Sequence, residues 1–331
     1  MREDLAAFSN EVYEATKHKI RIEWDSSASE NTSALFKSLQ NGDIQMLSSV
    51  HYFWPTDVKN GSRAGDFFAA VPFGKEFEEF NDWIENDEGQ ALWDSICLKL
   101  NVKPFAFGHT GKQSGGWFVE PFSLEGLQKL KMRIPALQGE VIKKLGGQTV
   151  MVLPDKIRDF IEDDSLNAAE WICPYEDMVL RLHKIPKFKY YYIEGWHEED
   201  AMLGLYVNND YFRRLNKDDK EILKQTIAKY NLKITAKFSG RNEWALEEIK
   251  KSRGSDLKVI NNIPSPLKDS LYSSWISNLK EHSKSDDLFK RIYISYANHH
   301  QKWMQKRGLF QKKNVKYNYA EPSIFNKVIS K

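Results

Sequence analysis

Cysteine is nearly absent from this chain: Cys97 and Cys173 are the only two in 331 residues. Two thiols allow one disulfide at most and their spacing does not pair them, so free buried thiols are the plain reading. No C-x-x-C or Cys/His cluster occurs, which speaks against a structural zinc site. No run of about 18–20 apolar residues is present, so no segment reads as spanning a bilayer. Neither sign of charge dominates, since 48 basic residues stand against 46 acidic ones for a formal net charge of +2. That balance gives no argument for nucleic acid. The familiar catalytic signatures are missing too: there is no G-x-S-x-G, no H-E-x-x-H and no Walker phosphate loop. Their absence tilts the reading toward binding rather than turnover.

What is there suffices for folded cores, with 41% hydrophobic and 13% aromatic residues. The length exceeds the roughly 250–300 residues at which one core usually stops growing, so about two domains are expected. Met1-Arg-Glu-Asp opens straight into an amphipathic stretch, Leu5, Phe8 and Val12, without the apolar core of a secretory signal. On that basis the chain is expected to be cytoplasmic or to have lost a leader.

Periodicity alternates helix and strand along the first third. Leu5 to Thr16 reads as a helix, Ile20 to Trp24 as a strand, Asn31 to Leu39 as a helix stopped at Asn41-Gly42, and Ile44 to Val50 as a strand. A second α/β block runs from about Leu124 to Val207. It holds strands at Leu127–Ile134, Val150–Pro154 and Phe188–Ile193, with helices at Glu140–Gly146 and Lys156–Ile161, and Ala168 to Ile172 leads into the Glu-Trp segment. From Asp210 the pattern is helical through Lys251, and again after Pro264 and Pro266. Ser285 is the expected N-cap of a last long helix, and the basic tail from Gly308 is expected to pack loosely.

Four segments bring polar groups beside rings or rigid turns: Gly111-Lys-Gln-Ser-Gly-Gly-Trp-Phe118, Lys131-Met-Arg-Ile-Pro135, Ala169-Glu-Trp-Ile-Cys-Pro-Tyr175 and Tyr190-Tyr-Tyr-Ile-Glu-Gly-Trp-His-Glu198. Arg133, at a strand end before a proline, offers a planar fork of donors that fits a carboxylate. Glu170 with Gln113 and a backbone carbonyl would suit a hard cation, which takes oxygen ligands. Taken singly each has a plainer reading: a surface arginine, a rim glutamate paired with lysine, a glycine hinge capped by core aromatics, a solvated Glu198-Glu-Asp200 turn. His197 alone is more often structural than a ligand.

Six segments in order resemble the DctP-type solute-receptor subunit of TRAP transporters, in the branch that binds 2-oxo and hydroxy carboxylates. Besides the four above, Ser48-Ser-Val-His-Tyr-Phe-Trp54 and Phe67-Phe-Ala-Ala-Val-Pro-Phe-Gly74 match that family's pattern, and the similarity covers roughly residues 5–230. The resemblance implies an α/β, two-domain periplasmic-binding-protein architecture of type II-like form, with hinge strands and long C-terminal helices. Domain I would be 1–122 plus about 208–260, domain II 123–207, and 261–331 C-terminal helices packing across or beyond them.

It also implies roles: Arg133 clamps a ligand carboxylate, and Gln113, Glu170, the Trp171 carbonyl and Glu198 hold Na⁺ or Ca²⁺. Gln113 also contacts the ligand, while Tyr52, Trp117 and Tyr175 wall the pocket. Domain closure would trap the anion. The implied partners are a small monocarboxylate and the TRAP permease subunits, with homodimerisation through the C-terminal helices as a further possibility, and the implied location is the periplasm. The chain departs from the pattern at Asp163–Ala169, where relatives carry a glycine and an acidic residue. It departs again at Glu199-Asp200, where they continue Pro-Gly, and at its start, where an opening strand and a leader would stand. Two alternatives stay open: a cytoplasmic metal-dependent enzyme acting on a 2-oxo acid, with Glu170 or His197 as base, and an accessory carboxylate sensor.

Overall fold

The computed structural model describes residues 2–25, 32–54, 62–308, 317 and 320. Its strands are β1 (Met46–Ser49), β2 (Val102–His109), β3 (Gly116–Phe118), β4 (Lys131–Arg133), β5 (Gln148–Val150), β6 (Ala168–Ala169), β7 (Tyr190–Tyr192), β8 (Met202–Asn208) and β9 (Lys258–Ile260). The chain divides into two units. One takes its residues from Met1–Ala69, Asp82–His109 and Met202–Lys237; the other takes them from Ala70–Asn81, Thr110–Ala201 and Phe238–Lys331. Boundaries of these units fall near 109 and 201, and strand pairing is the reason. The Gly116–Phe118 turn becomes a strand between β6 and β7, and Met202–Asn208 joins β1 and β2.

The first unit is built on an antiparallel sheet in the order β1-β8-β2. Pro104 sits inside β2, which is tolerated because β2 lies at the edge of this sheet and pairs only with β8 among the described residues. The helix Arg2–Ala15 buries Phe8 and Val12 completely, and the Phe8 ring meets Phe107 and Tyr230 edge-on at 4.9 and 5.4 Å. Phe68, Trp83 and Trp93 form a further stack, with Phe68 centroids 5.2 and 5.4 Å from the two indoles.

Ile20–Trp24 is not a strand. Lys17 and His18 take positive φ and turn the chain back, and the Trp24 indole N–H donates to the Leu5 carbonyl and the Ser9 hydroxyl. Its alternation therefore reflects packing on the first helix rather than a ladder.

The second unit holds a mixed sheet in the order β5-β4-β6-β3-β7-β9. β4 runs parallel to β5 and β6, β3 runs antiparallel to β6 and β7, and β7 is parallel to β9. Trp117, Ile157, Ile161, Leu166, Phe188, Tyr191 and Ile249 are buried together in its core; each aliphatic there contributes about 1.5–3 kcal/mol by leaving water. The expected strand at Val150–Pro154 is shorter and earlier, because Gln148–Val150 pairs with β4 and Pro154 opens a turn. The helices Ser265–Ser285 and Asp287–Lys306 follow. Asp286, rather than the expected Ser285, caps the latter: its carboxylate accepts the Phe289 N–H at 3.0 Å, while the Ser285 hydroxyl turns back to the Glu281 and His282 carbonyls. The tail beyond Gly308 falls mostly outside the described residues. Among them, no helix is long and apolar enough to cross a membrane.

A buried charge cluster ties the second unit together. Glu79 accepts from Lys75 and lies 2.8 Å from His300 Nδ1, and Lys75 also stands over the Tyr296 ring at 4.3 Å. Burial works against the Glu79 carboxylate, yet Lys75 and His300 outweigh it and hold its pKa at about 2, below the ordinary 4.5. A depressed pKa means stability present above pH 4.5 and lost as pH falls toward 2. Glu79→Gln is expected to cost about 3 kcal/mol at pH 7. The gap to wild type should narrow below pH 4.5 and close as pH falls to about 2, as urea unfolding at pH 7 and at pH 2 would show; an equal gap at both would refute this role.

Candidate functional site

All the site residues described in this section except Tyr52 lie in the second unit, so the site can be built there from the strands outward. β4 and β6 are parallel with Arg133 opposite Ala169, and the Glu170 N–H donates to the Arg133 carbonyl at 2.9 Å. Arg133 and Glu170 therefore leave the sheet at neighbouring strand ends, where parallel strands commonly carry sites. Gly116 lies at the start of the adjoining β3 with φ of +107°, and a Cβ there would come within 2.8 Å of the Ala169 carbonyl. Gly195 is needed for a similar reason, since a Cβ would stand 2.5 Å from the Gln113 carbonyl. These close approaches bring the loop Glu194–Glu198 against the Gln113 turn.

Six polar side chains meet there, each 2% exposed or less: Gln113, Arg133, Gln138, Glu170, His197 and Glu198. Arg133 Nη1 donates to Glu170 Oε2 at 2.9 Å and to the Glu170 carbonyl at 2.6 Å. Its guanidinium lies over the Trp171 ring, 4.9 Å from the centroid. His197 Nε2 approaches Glu170 Oε1 to 3.3 Å without the alignment of a hydrogen bond. The Glu198 carboxylate accepts from two amides, Gln113 Nε2 at 2.8 Å and Gln138 Nε2 at 3.0 Å.

Several buried polar atoms in this cluster have no hydrogen-bond partner among the described residues: Gln113 Oε1, Glu170 Oε1, Arg133 Nε and both ring nitrogens of His197. Unpaired groups of this kind are costly, about 1–3 kcal/mol each, and native proteins keep few of them. Here two are oxygen acceptors and one is a guanidinium donor. That set fits a hard cation beside an anion. Among the described residues no group of three or more His, Cys, Asp or Glu side chains is gathered for a metal, so any ion here relies on amide and backbone oxygens as well as carboxylate.

Beside the cluster sits Asp177, fully buried. It accepts from Ser114 Oγ at 3.1 Å, Trp117 Nε1 at 2.9 Å and Tyr191 Oη at 3.0 Å through one oxygen, and from the Ile172 N–H at 3.4 Å through the other. Burial pushes its pKa up to about 6 despite the hydrogen bonds from Trp117 and Tyr191.

The expected site residues thus fall in four places. Gln113, Arg133, Glu170, Trp171 and Glu198 are brought together. Trp117 is not a wall of this cluster: its indole is in the core, stacked on Tyr191 at 4.1 Å and held by Asp177. Tyr175 is half-buried under the Arg241 guanidinium, 4.9 Å from its ring. Tyr52 is half-buried in the first unit, in the turn His51–Phe53, edge-on to Phe53. Sequence reasoning missed Gln138 and Asp177. The signals were thin: a glutamine three residues past Pro135, and an acidic residue in the first turn of a short helix.

Residues 1–272 match the model of the bacterial extracellular solute-binding protein family 7. The monocarboxylate 2-oxoacid-binding periplasmic protein of Nostoc sp. is 32% identical over 258 residues, covering 77% of this chain and 68% of that protein. A TRAP periplasmic solute-binding protein from Colwellia psychrerythraea, solved with calcium and pyruvate, superposes with a TM-score of 0.84 at 26% identity, covering 94% of this chain and 92% of the other. Another from Pseudoalteromonas atlantica, solved with sodium and pyruvate, gives 0.82 at 25% identity, covering 93% of each chain.

Proposed function

The chain belongs to the bacterial extracellular solute-binding protein family 7, whose members and relatives compared above are receptors and not enzymes. On that premise we propose that it is the extracytoplasmic receptor of a TRAP transporter, binding a small 2-oxo monocarboxylate together with Na⁺ or Ca²⁺ and passing it to the membrane permease. The observation that carries this reading is the set of buried, unpartnered atoms around Arg133: a guanidinium Nε and the acceptor oxygens of Gln113 and Glu170.

Arg133 supplies the fixed positive charge. The Trp171 ring lies 4.9 Å from the guanidinium carbon and packs against the fork, whose planar donors suit a carboxylate. Gln113 Oε1, Glu170 Oε1 and the Trp171 carbonyl supply ion ligands, and the ion when bound offers positive charge to the ligand's oxygens. Charge balance supports it. Two fully buried carboxylates, Glu170 and Glu198, share the cluster with Arg133, so an incoming anion adds negative charge there that a cation entering with it offsets. Glu198, with both oxygens engaged by glutamine amides, serves chiefly to orient Gln113 so that its Oε1 is presented to the ion.

Calorimetry against a panel of monocarboxylates, with and without calcium or sodium, tests the reading. Pyruvate or a close 2-oxo acid is expected to bind, and chelation is expected to weaken it at least tenfold. Turnover of the acid by the purified protein, or indifference to every carboxylate, would count against a receptor.

A further inference from the structure

We infer that Asp177 is a positioning residue for the cation: it fixes the peptide between Trp171 and Ile172 so that the Trp171 carbonyl is held as an ion ligand. The inference rests on the proposed ion-coupled binding and goes beyond it, because Asp177 touches neither ligand nor ion in that scheme.

The argument is one of peptide geometry. The Trp171 carbonyl and the Ile172 N–H belong to the same planar unit and point in opposite directions. Asp177 Oδ1 accepts that N–H, so it sets the direction of the carbonyl across the plane and polarises it toward a cation. The next peptide is tied as well, since the Ser114 N–H donates to the Ile172 carbonyl at 3.1 Å. The other carboxylate oxygen of Asp177 binds Ser114, Trp117 and Tyr191. Ser114 follows Gln113, so one carboxylate registers the turn that carries Gln113 against the loop that carries Glu170 and Trp171. Three donors from a strand, a turn and a fully buried indole leave the group no freedom to shift. A carboxylate completely removed from water is expensive, and the core of this unit is otherwise apolar around Trp117 and Tyr191. A purely structural role would be met more cheaply by apolar packing.

Asp177→Asn is the sharpest test. Trp117 Nε1 and the Ile172 N–H can only donate, so the amide nitrogen must face one of them. Trp117 Nε1 holds its oxygen at 2.9 Å and the Ile172 N–H at 3.4 Å, so the oxygen stays with the shorter bond and the two hydroxyls, the nitrogen is placed against Ile172, and the peptide is released. Outer-shell partners of metal ligands typically carry 10–100-fold in metal affinity. Calcium is titrated calorimetrically into ion-free protein with no carboxylate present, then pyruvate is titrated at saturating calcium, with the melting temperature of the ion-free protein followed alongside.

The expected result is calcium binding at least tenfold weaker, with pyruvate affinity at saturating calcium within about threefold of wild type. Tyr191→Phe removes one donor from Asp177 and leaves the Ile172 contact, so its calcium affinity should stay within about twofold. If Asp177→Asn does not fold, Asp177→Glu replaces it; the added methylene keeps an acceptor for Trp117 but displaces it from Ile172, and the same weakening is expected. Calcium affinity unchanged in the variant, or a pyruvate loss equal at every calcium concentration, overturns the role. A wild type that binds pyruvate without any dependence on calcium or sodium overturns the ion site and this role with it. A wild type that binds no carboxylate overturns the receptor reading itself.

Discussion

Arg133→Lys is expected to weaken pyruvate binding by roughly 30- to 150-fold at saturating calcium, with little change in the melting temperature of the ligand-free protein. The lysine keeps the positive charge that Glu170 faces at 2.9 Å, so the buried pair survives and the unit still folds. What it loses is the planar fork and its contact with the Trp171 ring. A charge-assisted hydrogen bond to a desolvated carboxylate accounts for about 2–3 kcal/mol, and each 1.4 kcal/mol is tenfold in affinity. Arg133→Ala is the poorer experiment. It leaves the Glu170 carboxylate buried without its partner, at a cost of about 3–5 kcal/mol to folding, and mixes that with the loss of binding. If Arg133→Lys binds pyruvate within threefold of wild type, the fork is not the carboxylate clamp.

How far this site was legible from the sequence depends on which residues are considered. Arg133, Gln113 and Glu170 each have a plainer reading taken singly, and only the order of six segments gave them roles. The structure brings Arg133 and Glu170 together because β4 and β6 run parallel and end together, and that pairing is not written in either strand; Gln113 joins them from the turn before β3, through its amide on Glu198. β6 is two residues long, too short for any periodicity to show. Gln138 was missed for a similar reason. It reads as an ordinary helical residue, and its amide matters only because Glu198, sixty positions later, lies 3.0 Å away.

Fold-level reading succeeded where a helix or turn is decided locally and failed where pairing decides. The helix Arg2–Ala15 and the glycine stop at Gly146 are set within a few residues of chain. β2 and β8 were not seen, although they are the two longest strands. Pro104 and Gly108 break the β2 pattern, and both are tolerated for non-local reasons. Pro104 stands at a sheet edge. The Gly108 N–H is taken by Asn231 from a helix far along the chain. Ile20–Trp24 erred the other way: good alternation, but no strand to join among the described residues.

Glu170→Gln should separate the two halves of the site by inverting their response to calcium. In wild type Glu170 has two duties: Oε2 accepts from Arg133 and Oε1 is presented without a hydrogen-bond partner. Neutralising it removes a full charge from any cation bound there, worth several kcal/mol at about 4 Å with an effective dielectric of 20. Calcium affinity is therefore expected to fall by at least a hundredfold. The same change leaves Arg133 with its hydrogen bond but without a neutralising partner, so its charge becomes available to an anion.

In chelator, then, Glu170→Gln should bind pyruvate somewhat better than wild type, and in calcium far worse. A simple structural lesion cannot produce that crossover, because it weakens binding in both conditions. Loss of stability does not obscure it either, since pyruvate replaces the missing charge beside Arg133 and should raise the melting temperature of the variant in chelator. Equal weakening with and without calcium would remove Glu170 from the ion's ligands and leave it only as the partner that holds Arg133 in place.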